Sequence, residues 1–346
     1  MHELSGTEQQ IERIEWVDIL KGLAIILVVM GHVMTFDPSS PALLIGIYSF
    51  HMPLFMLLAG YTAAVSMERS TNVRNFISKR IIGLFIPYLV WSFMISPFAD
   101  LAAYQEYSLA EHFNHFLTGT MLTWWFLPCL LMLQLLYSLY TVATARFKSP
   151  AMKICLVILL LSITILCHKL WGDGHCGKRD IWDLTFISKT YLYFIPFGVG
   201  VALRQYPKFK SFCLGTPVCT ACVLIVLLLT RVRGDLPSMF CTHLRTVIGV
   251  AASLLLIRMF SGKLLPEWVN SQLRTIGKDT LIIYLLHFIF MPSACTWLYG
   301  IDGTLAFLVY LPICLAICYF CMATGRMIAT SPWLSLLMLG KPLRRK

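Results

Sequence analysis

Ten apolar runs, each near the ~20 residues that a helix needs to cross a bilayer core, dominate this chain and exclude most other folds. They lie near Asp18 to Phe36, Ala42 to Ser66, Ile81 to Ala103, Met121 to Ala145, Ala151 to Leu170, Lys189 to Arg204, Ser211 to Thr230, Met239 to Arg258, Gly277 to Trp297 and Thr304 to Met327. The sixth is short and broken by Pro196 and Gly198. With 58% hydrophobic and 13% charged residues, the chain could not cover a soluble domain with polar side chains. The expected fold class is therefore all-α, a polytopic transmembrane helical bundle with about ten spanning helices. It would form one domain over residues 18–330, after a segment 1–17 and before a basic tail 331–346.

A formal net charge of +11 is compatible with nucleic-acid binding, but the basic residues sit in short clusters between apolar runs. That is the pattern of a topology signal, so no nucleic-acid partner is expected. With the N-terminus inside, only Lys169, Lys178, Arg179, Lys189, Arg231, Arg233 and Arg245 of the 28 Lys and Arg residues fall on the outer side. N-terminus and C-terminus are then both cytoplasmic, and membrane lipids are the immediate partners. The polar, acidic stretch through Glu15 lacks the basic start and small-residue cleavage site of a signal peptide, so the first run is expected to stay as an anchor. Trp124, Trp125, Trp171, Trp182 and Trp297 fall near outer ends, as an aromatic belt would place them. The longest outer loops, near Gln105 to Thr120 and Gly172 to Ser188, are too short for a second domain, and Lys263 to Arg274 is polar enough to lie along the inner interface. Cys219/Cys222 and Cys318/Cys321 have Cys-x-x-Cys spacing without a nearby His pattern, so no metal site is expected. There is no clear internal repeat, which disfavours a transporter built from inverted halves.

Ionisable residues inside the apolar runs carry the functional signal, because such groups are costly in a bilayer and usually face a protein interior or wet cavity. Lys21 and His32 stand eleven residues apart on the first run, about three turns and about 16 Å along one helix face. Both are expected to look into one cavity from different depths, although Lys21 snorkelling to the interface remains the simpler reading. Asp18, three residues earlier, is placed to neutralise Lys21. His51, in Phe50-His51-Met52-Pro53, is expected at a depth comparable to His32, either sharing a proton relay or bonding a carbonyl freed by Pro53. His287 would sit near the midplane with Tyr284 one turn earlier on the same face. Arg74, Lys79 and Arg80 precede the third run and form either a cationic rim for phosphate oxygens or a plain topology signal. No Gly-rich phosphate loop, Gly-x-Ser-x-Gly elbow or His-Glu-x-x-His is present.

These residues carry a resemblance. Trp16-Val17-Asp18 with Lys21-Gly22 and Gly31-His32, and Phe50-His51-Met52-Pro53-Leu54-Phe55 with Ala59-Gly60-Tyr61, are similar to the specific motifs of the membrane acyltransferase-3 family. Weaker matches are Lys79-Arg80-Ile81, Pro87-Tyr88, Trp125-Phe126-Leu127, Tyr193-Phe194-Ile195-Pro196-Phe197-Gly198, Ile276-Gly277-Lys278 and Tyr284-Leu285-Leu286-His287. Nearly the whole chain is covered. Many members have Arg where this chain has Lys21, so bidentate phosphate recognition is given up there.

The resemblance implies an integral-membrane O-acyltransferase of the bacterial inner membrane. It would move an acyl group, most often acetyl, from cytoplasmic acyl-CoA to a hydroxyl of a cell-surface glycan, lipid-linked sugar or similar acceptor. No bound cofactor is implied, since acyl-CoA is a substrate. His32 would be the catalytic base, with His51 and His287 as further catalytic candidates. The CoA phosphates would meet Lys21, Arg80, Lys79 and Arg74 at the inner rim. Some members carry an additional extracytoplasmic domain; its absence from this sequence implies action alone or with a separate extracytoplasmic transferase partner. The rival expectations are a proton-coupled transporter or flippase of a glycan or lipid, and a non-catalytic membrane subunit.

Overall fold

The computed structural model describes residues 14–34, 41–95, 125–146, 149–171, 185–232, 238–261, 265–291 and 303–341, which are helical with short turns and contain no strand. Each of the ten expected runs has a helical counterpart. By length and apolarity, however, only six helices among the described residues could cross a bilayer, or seven if a pair bent by 52° counts as one span. The expected outer loop near Gln105 to Thr120, residues 172–184 of the second, and Trp124, Trp182 and Trp297 lie outside the described residues, while residues 185–188 of the second loop begin a helix.

The first two helices form the centre. α1 (Glu15–Met34) and α2 (Pro41–Glu68) are the most enclosed of the apolar helices, with 78% and 67% of their spanning windows buried. Burial on nearly all faces explains why neither shows a polar stripe. Glycines set how their partners approach. A methyl group on Gly22 would overlap the Leu273 carbonyl, and one on Gly277 would overlap the Asp18 carbonyl, so α1 and α10 (Glu267–Lys278) pack backbone to backbone. The same holds for α2 and α6 (Thr185–Gln205), through Gly60 against Phe197 and Gly200 against Leu57. Small residues that admit a second backbone are the usual means of helix association in lipid, where burial of apolar surface supplies little drive.

Between these pairs, α3 (Val73–Arg80) begins at Asn72, whose side chain accepts from the Asn75 N–H at 2.8 Å. It continues through π-type turns at Ile81–Phe85 and Val90–Ile95 that flank Ile86–Leu89, around Pro87. Proline lacks an N–H, and the wider turns absorb the interrupted bonding. Arg80 thus stands inside a continuous helical segment rather than ahead of one. α4 (Phe126–Arg146) lines the interior beside it, whereas α5 (Pro150–Trp171) is peripheral, with 11% of its window buried. α7 (Pro207–Cys213) and α8 (Thr216–Val232) form the bent pair, and α9 (Ser238–Ser261) packs on α2 where Gly249 meets Pro53.

Three sequence expectations change here. The segment near Lys263 to Arg274 does not simply lie on an interface: α10 buries Asn270, Leu273, Ile276 and Gly277, and Arg274 bonds Glu15 at 3.0 Å. The ninth run is not one helix, since α10 ends and α11 (Thr280–Phe290) begins at Asp279. The expected tail contains a helix after α12 (Gly303–Ile328). This α13 (Pro332–Leu339) receives the Trp91 indole N–H on its Met338 carbonyl at 3.0 Å and closes on Gly340 in the left-handed region, φ 62. Glycine enters that region without a Cβ penalty.

Candidate active site

A cavity of about 300 Å³ opens between α1, α2, α3, α4 and α11. One end carries Lys21, Lys79 and Arg80, and no carboxylate among the described residues lines it. Beyond them, following the order along α1, α2 and α4, come Ile25, Phe55, Leu84 and Leu130, and the end toward the histidines is walled by Val28, Met52, Phe126, Leu127 and Tyr284. Three cations gathered there make that end electropositive. The apolar middle suits an uncharged, elongated group.

Arg80 is held by packing. Its guanidinium carbon lies 4.7 Å from the centre of the Phe76 ring, and its Nε is buried without a hydrogen-bond partner. Phe76 is itself fully buried, so the platform under Arg80 is rigid. Lys79 lines the cavity as well, whereas Arg74 is exposed on α3 and does not. The expected cationic rim therefore comprises Lys21, Lys79 and Arg80, without Arg74. Asp18 does not line the cavity, and its Oδ2 is buried with no hydrogen-bond partner among the described residues.

The histidines gather just past the opposite end. His32 follows Val28 by one turn and does not itself line the cavity, which corrects the expectation that it shares the cavity wall with Lys21. Its ring centre lies 5.2 Å from that of His287 and 4.7 Å from that of Phe288. His32 is half-buried; His287 is fully buried. His287 follows the lining residue Tyr284 by almost one turn, and His51 adjoins the lining residue Met52. Gly31 leaves room for the Tyr48 ring, which in turn meets the His51 ring edge-on with centres 5.1 Å apart. Helix α11, 255 positions later in the chain, is thereby brought against the end of α1.

Backbone carbonyls fix two of the three rings. His51 Nδ1 bonds the Ile47 carbonyl at 2.6 Å, and His287 Nδ1 bonds the Tyr284 and Ile283 carbonyls at 2.8 and 3.1 Å. A carbonyl only accepts, so each Nδ1 carries hydrogen and each neutral ring presents a lone pair at Nε2. The His287 Nε2 is buried and without a hydrogen-bond partner. For His51 the bond goes to the carbonyl of its own helical turn, four residues back, and not to the Ser49 carbonyl that Pro53 frees. The simple packing role expected for His51 therefore takes a different form.

One residue named from the sequence gains a contact, and one lining residue, Gln134, was not singled out there. Tyr284 does more than share a face with His287: its hydroxyl accepts the Phe126 N–H at 3.3 Å, serving one of the unpaired donors at the start of α4. Gln134 lines the cavity and is 4% exposed. The available signal was its position as a lone carboxamide inside Cys129-Leu-Leu-Met-Leu-Gln134-Leu-Leu. Cys219, Cys222, Cys318 and Cys321 are buried free thiols, and the described residues contain no cluster of His, Cys, Asp and Glu able to hold a metal.

Comparison with known proteins matches residues 14–323 to the family described as "Acyltransferase domain". The chain is 34% identical over 163 residues to the nodulation protein NolL of Sinorhizobium fredii, covering 43% of this chain and 42% of that relative. It is 28% identical over 117 residues to the nodulation protein NolL of Mesorhizobium japonicum, covering 32% of this chain and 31% of that one. The chain thus spans less than half the length of these curated relatives. No solved structure matches it. With a family match over nearly the whole chain and several helices long and apolar enough to cross a membrane beneath it, the protein belongs to the acyltransferase-3 family.

Proposed function

We propose that the protein transfers an acyl group, acetyl in the first instance, from cytoplasmic acyl-CoA to a hydroxyl of a cell-surface glycan, lipid-linked sugar or similar acceptor. The observation that carries this reading is the polarity of the cavity: three cations at one end, an apolar shaft, and a histidine cluster past the other. Phosphates of the donor would sit against Lys21, Lys79 and Arg80, and its arm would run up the shaft to bring the thioester toward His32. Being half-buried, His32 is accessible to an incoming acceptor, while His287 is sealed behind it.

In this reading His32 removes the proton from the acceptor hydroxyl as its oxygen attacks the thioester carbonyl. The oxygen–carbon bond forms, the carbon–sulfur bond breaks, and the departing thiolate takes up the proton as free coenzyme A. His287, whose ring centre is 5.2 Å from that of His32, would stabilise the imidazolium formed there through its Nε2 lone pair. Family membership leaves the transporter and assembly-subunit readings without support. The proposed setting is the bacterial inner membrane with both ends cytoplasmic, a reading supported by the charge distribution; an extracytoplasmic transferase partner is part of the proposal only for acceptors beyond the membrane surface.

Purified protein in proteoliposomes, given acetyl-CoA and a panel of hydroxyl acceptors, should release free thiol in step with acetylated product. Failure with every acceptor while acetyl-CoA does not bind would end the proposal. Arg80→Ala should raise the acetyl-CoA concentration needed for half-maximal rate by about tenfold or more, since a charge-assisted contact contributes about 1.5–3 kcal/mol. An unchanged donor dependence would reduce Arg80 to a topology signal. For orientation, single cysteines introduced at Lys341 and Asp302 should be reached by an impermeant thiol reagent from opposite sides, and labelling from one side alone would refute the map.

A further inference from the structure

Gln134 is a buried amide for which the fold has no use. Its Oε1 has no hydrogen-bond partner among the described residues, and its neighbour Ser138 bonds the Gln134 main-chain carbonyl, at 2.8 Å, not the side chain. Whichever way the carboxamide is turned, one polar end is left for something else. Burying such a group unpaired is costly, so its place in the wall of an otherwise apolar shaft points to a ligand contact. The cations at the open end stand on α1 and α3; Gln134 comes from α4, on the same cavity.

Its depth narrows the ligand group. Gln134 is eight residues along α4 from Phe126, about 12 Å below the aromatic end of the cavity at about 1.5 Å per residue. It therefore lies on the cation side of the histidines, at about the depth of Lys21. Phosphate oxygens only accept, so they can pair with the carboxamide nitrogen but never with its oxygen. The arm of coenzyme A, between its phosphates and its sulfur, carries two secondary amides, each with an N–H and a carbonyl that match either end of a carboxamide. Resting on the donor reading above, we infer that Gln134 is a donor-specificity residue that hydrogen-bonds a secondary amide of this arm and sets how far the thioester reaches toward His32.

The test is Gln134→Met in the full-length protein, close in size and without polar ends. Binding of coenzyme A should weaken about three- to tenfold, the value of one lost hydrogen bond. Binding of the nucleotide portion of coenzyme A, which keeps the phosphates and lacks the arm, should change less than about twofold. Thermal unfolding of the ligand-free variant should occur at the same or a higher temperature, because an unpaired buried amide has been removed. Unchanged coenzyme A binding overturns the inference. So does equal weakening of both ligands, or a lower unfolding temperature, since either shows a packing residue. If the unaltered protein binds no coenzyme A, the donor reading falls and takes this inference with it; if it binds and Gln134→Met binds equally well, only the inference falls.

Discussion

His32→Gln is expected to lose at least about 100-fold in acyl transfer per folded molecule, within the 10²–10⁴ that a positioned general base supplies. Glutamine keeps polarity and approximate size but cannot take the proton. Donor binding should persist, because Lys79 and Arg80 reach the cavity from α3 and Lys21 lies about three turns away. Folded yield should persist too, since among the described residues His32 makes ring contacts with His287 and Phe288 and no hydrogen bond. His51→Gln and His287→Gln should behave differently: both rings bond backbone carbonyls inside the core, so part of their cost appears as lost stability, about 1 kcal/mol each. Turnover of His32→Gln near the unaltered rate would remove His32 as base and transfer the role to His51 or His287.

A comparably large effect on folding is expected from one methyl group. Gly277→Ala should sharply reduce the yield of monodisperse protein, because the added Cβ would overlap the Asp18 carbonyl and crowd the Gly22 nitrogen, all of it backbone. Overpacking of about 1–3 kcal/mol is usual in a close-packed core, and two helices locked at their backbones have no flexible side chain to yield. Gly198→Ala is the matched control. Nothing lies within 4 Å of a Cβ there, although Gly198 sits in the family-like Tyr193–Gly198 segment. It should fold as well as the original, with the modest gain in helix propensity that alanine brings. Equal behaviour of the two variants in thermal unfolding and size-exclusion profiles would refute the α1–α10 close approach.

The sequence by itself determined the helices, because their signal is local. Apolar length predicts a spanning helix, and the eleven-residue spacing of Lys21 and His32 puts both on one face of α1 whatever surrounds it. It also marked Gly22, Gly60 and Gly277 as positions where a family resemblance concentrates, and the structure shows all three at backbone contacts, in two pairs of helices far apart in sequence. Where helices end was less legible. Asp279 divides an apolar run that reads as continuous, and the expected tail contains a helix fastened by Trp91.

Only the tertiary structure decided which faces meet. Arg74, Lys79 and Arg80 are equivalent as sequence, yet rotation of α3 puts two of them in the cavity and leaves Arg74 outside. His287 reaches His32 because α11 packs beside α1, and Gln134 becomes a site residue because α4 turns it toward the shaft. The physical reason lies in the solvent. In water an apolar stripe identifies the buried face of a helix, but in lipid both the buried and the exposed faces are apolar, so the pattern that would orient each helix is nearly erased. Helix positions follow from hydrogen bonds four residues apart; the site follows from which glycines let which backbones touch.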